Sequence, residues 1–126
     1  MIPIIVESPQ PAIVPESGMA VLTCTASGDP IPEIVWLKQQ DNAGVVELLE
    51  VVGKIHIAET VSGEKKTSTL TIESTCPQDA ASYSCRAQNA HGITSSESVH
   101  IFVTNTDCKL TQKLLKSLIM HVNYKD

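Results

Sequence analysis

The sequence predicts an all-β fold of short strands with one helical segment appended after it, and three observations carry that reading. Apolar and polar side chains alternate with a period of two from Met19 onward. Gly, Pro, Asn and Ser interrupt the alternation at intervals suited to a meander or Greek key. After Cys108 the period changes to that of a helix. At 126 residues there is room for one domain with a modest core and a short appendage. The expected division is a domain over 1–105 and a tail over 106–126.

The elements follow in order. Pro9, Pro11 and Pro15 lack a ladder donor, so the first strand is expected at an edge and split in two. In "AVLTCTA", Ala20, Leu22, Cys24 and Ala26 share one face; in "EIVWLK", Ile34 and Trp36 oppose Val35 and Leu37. "VVELLEVV" and "KIHIAE" read as strands on either side of Gly53, and "SGEKK" is a turn before "TSTLTIE". "AASYSCRAQ" places Ala81, Tyr83, Cys85 and Ala87 opposite Ser82, Ser84, Arg86 and Gln88. After the "NAHG" turn, "ITSSESVHIFV" closes the pattern with Val99, Ile101 and Val103 inward. In the tail, Leu110, Leu114, Leu115, Leu118, Ile119 and Val122 recur at helical spacing beside Lys109, Lys113 and Lys116, with Thr106 or Asp107 as the cap. A helix of about 12 residues is marginal alone in water.

Composition removes several classes of function. Residues 1–108 carry 5 basic and 13 acidic side chains, and residues 109–126 carry 4 and 1. A body with a balance of −8 and a single arginine, Arg86, repels phosphates, so nucleic acid is not an expected partner. No apolar run approaches the roughly 20 residues that span a bilayer, and "MIPIIVESPQP" lacks the basic and apolar regions of a signal peptide. There is no Asn-x-Ser/Thr sequon. The aromatic set is Trp36, Phe102, Tyr83 and Tyr124, too few for a broad aromatic platform. His56, His91, His100 and His121 are scattered, and Cys76 and Cys85 flank a turn without the close spacing of zinc ligands, so no metal is expected. Ser82, His91 and Asp79 read as an outward strand residue, a hairpin tip and a turn anchor. With no nucleophile elbow or phosphate loop, neither catalysis nor a cofactor is expected.

Cys24 and Cys85 on two sheet faces, Trp36 twelve residues after the first and Tyr83 two before the second resemble the immunoglobulin superfamily. "ASGDPIPEIVW", "LTIESTCPQDAASYSC" and "AQNAHG" are similar to its intermediate (I-set) branch, over roughly residues 10–104. Thr75 departs from the pattern, where an apolar residue is usual, as does Cys76 beside it. The resemblance implies a two-sheet Greek-key sandwich, an inter-sheet Cys24–Cys85 bridge with Trp36 packed on it, and a Tyr83 hydroxyl bonded to backbone at the corner that Asp79 anchors. Under that pairing Cys76 and Cys108 fall at one pole, and of the three pairings open to four cysteines a second bridge between these two is expected. The alternatives are buried free thiols at Cys24 and Cys85, as intracellular relatives tolerate, and exposed thiols at Cys76 and Cys108. An even count with matched poles favours oxidation, hence a secreted or extracellular setting.

The resemblance also places three strands side by side, so that Val35, Leu37, His100 and Phe102 share an outer face with Ser84 and Arg86. Single apolar residues on a surface need no explanation, but four across adjacent strands point to a cover. That cover is a protein partner, a second copy, or the tail through Leu110, Leu114 and Leu118; a tail lying on an anionic membrane is the less favoured reading. The implied function is an extracellular recognition or adhesion module binding through Val35, Leu37, Arg86, His100 and Phe102. The competing reading is a structural spacer, similar to the I-set arrays of cytoplasmic muscle filament proteins, with reduced cysteines. An antigen-receptor domain is disfavoured, because no Gly-x-Gly bulge follows "AQNAHG" and the loops lack tyrosine.

Overall fold

The computed structural model describes residues 1–40 and 44–104. Among the described residues ten strands form in chain order: β1 Ile4–Glu7, β2 Ala12–Pro15, β3 Met19–Ser27, β4 Glu33–Gln40, β5 Gly44–Glu47, β6 Ile55–Ser62, β7 Lys65–Glu73, β8 Ala81–Asn89, β9 Gly92–Ser95 and β10 Val99–Thr104. A 3-10 turn at Pro77–Asp79 leads into β8. One sheet runs β1-β3-β7-β6; the other runs β2-β10-β8-β4-β5, with β9 pairing β8 beyond β10. The two sheets face each other as a sandwich.

Alternation decides which side of each strand is inward. Ala20, Leu22, Cys24 and Ala26 on β3, Ile34 and Trp36 on β4, Leu70 and Ile72 on β7, and Ala81, Tyr83, Cys85 and Ala87 on β8 are all buried between the sheets. Ile101 is fully buried on β10, and Val99 and Val103 pack against the same core. Cys24 and Cys85 form a disulfide across it. Trp36 stands opposite Cys85 in the β4–β8 ladder, and its Nε1–H donates to the buried Ser68 Oγ at 2.9 Å. That bond satisfies the one polar atom the indole carries into the core.

The proline-rich start is split as expected: β1 pairs with β3, and after the break β2 crosses to the other sheet and pairs with β10 in parallel. Two expectations are corrected. "VVELLEVV" keeps strand structure only over Gly44–Glu47, because the chain turns at Val51–Lys54, where Gly53 takes a positive φ of 77°, and Val51 pairs back on Ile55. "ITSSESVHIFV" is two strands; Ser96 breaks it by donating its backbone N–H to Cys85 O and accepting the Cys85 N–H on Oγ. The expected tail helix, its contacts Leu110, Leu114 and Leu118, and the bridging partner Cys108 lie outside the described residues.

Thr75, the departure from the family pattern, is fully buried and polar for a reason. Its Oγ1–H donates to Pro15 O at 2.6 Å and accepts the Gly18 N–H at 3.1 Å, while its backbone O takes the Ser17 N–H at 2.7 Å. One side chain thus ties the β2–β3 turn to the corner before β8. Thr75→Val keeps the shape and removes the hydroxyl, so the domain is expected to lose about 1–2 kcal/mol. The thermal midpoint should fall by roughly 5–15 °C in calorimetry. An unchanged midpoint would mean that the hydroxyl's bonds are worth no more than those to water.

Candidate interaction face

The corner below β8 is held by one carboxylate. Asp79 is buried; its Oδ2 accepts the Cys76 N–H at 2.8 Å and the Lys54 ammonium at 2.6 Å, and its backbone O accepts the Tyr83 hydroxyl at 2.6 Å. Burial, with the Asp79 charge adding to it, pushes the Tyr83 phenol well above its ordinary range. Lys38 reaches over the Tyr83 ring at 5.9 Å and donates to Gln78 O at 3.1 Å. Burial lowers its pKa, the Asp79 charge opposes that, and neighbouring Lys54 adds to it. Trp36, Asp79 and Tyr83, expected from the sequence as structural residues, are all buried and hydrogen-bonded within the domain, on or beside β8, the central strand of the larger sheet. Cys76, also buried, is disulfide-bonded.

The outer face of that sheet carries the remaining residues singled out in the sequence. Register sets their rows. Val35 stands opposite Arg86, Leu37 opposite Ser84 on one side and Glu47 on the other, and Gln39 opposite Ser82. Across β8, His100 stands opposite Ser82, and Arg86 opposite Ser95 on β9. The β10–β8 ladder ends at Ile101, so Phe102 extends beyond it and pairs with Ile13 of β2 instead. Its ring meets the His100 ring at a centroid distance of 4.4 Å, tilted by 49°.

The expected patch is thus two clusters on one face. Val35, Leu37 and Arg86 form the first, all half-buried. Half-buried His100 and exposed Phe102 form the second, with Ser82, Ser84 and Gln39 between the two. The Arg86 Nε is buried, and no hydrogen-bond partner reaches it among the described residues. Two members of this face escaped the sequence reading. Ile13, 73% exposed, sits beside Phe102, and Val45, 57% exposed, sits opposite Gln39. Ile13 lies between prolines in a segment whose partner strand is about 90 residues away, so no local signal placed it here. The outer face of the other sheet differs in chemistry: Thr23, Thr25, Thr67, Thr69 and Thr71 line its centre, with exposed Ile4, Met19 and Val21 on β1 and β3 and no arginine.

Comparison with known proteins accords with this architecture. Residues 2–89 match the family model described as immunoglobulin domain. Protein turtle homolog B of Rattus norvegicus is 33% identical over 85 residues, covering 68% of this chain and 5% of that protein. The chain therefore spans about a twentieth of that curated relative's length. Among solved structures, the titin M3 domain is 26% identical, covers 83% of this chain and 99% of its own, and superimposes with a TM-score of 0.66. A chain of the titin M10–obscurin-like 1 immunoglobulin complex is 25% identical, with 81% and 93% coverage and a TM-score of 0.63.

Proposed function

This chain belongs to the immunoglobulin superfamily, and from that premise we propose that it is an extracellular, I-set-type recognition module. It binds a protein partner, or a second copy, through the outer face of the β10-β8-β4 sheet, and it performs no chemistry. The observation that carries this reading is the composition of that face. Apolar Val35, Leu37, Phe102, Ile13 and Val45 stand with the chain's only arginine on one sheet, while the centre of the opposite sheet turns five threonines outward beside Ile4, Met19 and Val21. An apolar cluster beside an arginine is what a partner can desolvate and pair, with Ser82, Ser84 and Gln39 offering hydrogen bonds between the two clusters. The buried Arg86 Nε would gain an acceptor from the partner, a carboxylate or a carbonyl oxygen.

The disulfides support the extracellular setting: Cys24 is bonded to Cys85, Cys76 is oxidised, and no free cysteine stands among the described residues. That a similar domain occurs in a titin–obscurin-like 1 complex supports protein recognition on this fold. The likeness to the titin M3 domain favours a second reading, a spacer in an intracellular filament-associated chain.

Cells each displaying one immunoglobulin-type ectodomain, this one included, stained with the multimerised full chain, test the proposal. A binder is expected whose affinity for Leu37→Asp and Phe102→Ser falls at least about tenfold, since each removes a side chain at the centre of its cluster. Unchanged affinity for both variants would overturn the site. No binder, together with free thiols at Cys24 and Cys85 in protein from its native source, would favour the spacer.

A further inference from the structure

We propose that the edge of β3 over residues 19–23 is a second binding site, which takes an extended segment of a protein partner as an added strand. It lies on the sheet opposite the recognition face, so the two sites stand or fall separately.

The site begins with an incomplete ladder. β3 runs nine residues, and all of them pair with β7. On its other side β1 pairs only with Thr25, Ala26 and Ser27, and the next strand, β2, joins the other sheet. Among the described residues, 19–24 therefore have a ladder partner on β7 alone.

Bond alternation decides which groups are left over. At one end of the β3–β7 ladder the Gly28 N–H donates to Glu64 O, just past the facing pair Ser27–Lys65. At the other end Glu73, which faces Met19, turns its N–H away from β3, to Lys54 O. Both facing pairs are thus of the kind that exchanges no backbone bonds. The register between them is unbroken, so Ala20, Leu22, Cys24 and Ala26 bond to β7. Met19, Val21 and Thr23 point their N–H and C=O groups to the vacant side, spread over about 14 Å.

The far edge of the same sheet is capped by the chain itself. On β6, Ile55 exchanges both backbone bonds with Val51, and the Ile57 N–H donates to the Glu50 carboxylate. Among the described residues no such cap stands over Val21 or Thr23. An extended backbone is the one partner whose donors and acceptors match this spacing.

The space beside the edge also suits side chains. Glu7, Gln10, Pro11 and Ala12 wall a cavity of about 270 Å³ against Leu22 and Thr23. In an added strand the residue facing Val21 points outward, beside Val21 and Met19, which are 50% and 56% exposed. Its two neighbours point inward, toward the cavity that Leu22 lines. Aliphatic residues fit both sides. Residues 1–104 carry 12 acidic and 5 basic side chains, which favours a lysine or arginine flanking them. The vacancy is bounded by β1 at one end and by the β2–β3 turn at the other, so it takes a short segment and not the nine-residue edge of another β3.

Phage display of random linear peptides against the full chain supplies the probes, and amide-resolved NMR hydrogen exchange with each selected synthetic peptide shows where it sits. The Val21 and Thr23 amides are expected to slow by at least about tenfold. Val21→Pro removes one donor at an edge position where a strand tolerates proline, and Val21→Thr keeps it. Affinity is expected to fall at least about tenfold in the first and far less in the second, since main-chain bonds carry such binding. Circular dichroism melts report that both variants are folded; if Val21→Pro does not fold, exchange in the wild-type chain decides alone. Peptides that bind without slowing Val21 and Thr23, equal affinity in the two variants, or a library that yields no binder overturn the proposal. Slowing of the same amides by protein concentration alone assigns the edge to a second copy and overturns it too. Each of these results leaves the recognition face standing, because Leu37 and Phe102 lie on the other sheet.

Discussion

Trp36→Ala is expected to destabilise the domain by about 3–5 kcal/mol, a large part of the stability available to a domain of this size. The indole is fully buried on β4, opposite Cys85, in a layer that also holds Leu22, Leu70 and Ile101. Both sheets contribute to that layer, and the Cys24–Cys85 bridge ties one to the other, which limits how far they can close over the cavity. Trp36→Phe separates packing from hydrogen bonding. It retains most of the ring but leaves the Ser68 hydroxyl buried without its indole donor, for about 1–3 kcal/mol. Denaturant unfolding followed by far-ultraviolet circular dichroism measures both, since neither variant retains tryptophan fluorescence. A cost below about 1 kcal/mol for the alanine variant would mean that the core repacks, contrary to the constrained layer described above.

Replacing both Cys24 and Cys85 with alanine is the second large effect. The bridge links residues 61 apart. In the chain-entropy model a loop of that length restricts the unfolded chain by about 4 kcal/mol, and removal of native bridges from small domains costs about 2–5 kcal/mol. The two positions lie on β3 and β8, one from each sheet, so the loss falls on sheet-to-sheet packing rather than on either ladder. Unfolding of the double variant beside the wild type, both without reductant, is the measurement. A difference under about 1 kcal/mol would mean that the sandwich holds without oxidation, which suits the intracellular spacer and weakens the extracellular reading.

The inward half of the fold was legible because it is written locally. A strand turns alternate side chains to opposite faces whatever its neighbours are, so Cys24, Leu70, Tyr83, Cys85 and Ile101 could be assigned inward from period, while Trp36, on a strand apolar on both faces, was placed inward by the family resemblance. Tyr83 and Asp79 were legible through the family resemblance, and their bond spans only four residues. Thr75 read as a departure from the pattern; its purpose appeared only with Pro15 and Gly18, some 60 residues earlier, placed against it.

The outward half was legible only in part. Period, together with the family resemblance, put Val35, Leu37, Arg86, His100 and Phe102 on the outer sides of their strands, but distances between rows are set by register, which no single strand contains. Register divided the expected patch, placing Phe102 beyond the end of β8 and against Ile13. The parallel β2–β10 pairing that does this joins segments about 90 residues apart.

By itself, then, the sequence determined the all-β strands and most of their inward residues, because side-chain alternation and turn chemistry act over a few residues, and through its family resemblance it implied the sandwich and the strands that carry the outer face. The tertiary structure alone decided how that face is divided, which apolar side chains from the edge strands β2 and β5 join it, and why a buried threonine stands at the corner. Those outcomes depend on which backbone edges pair across the whole chain, and pairing energy is shared between two strands and written in neither.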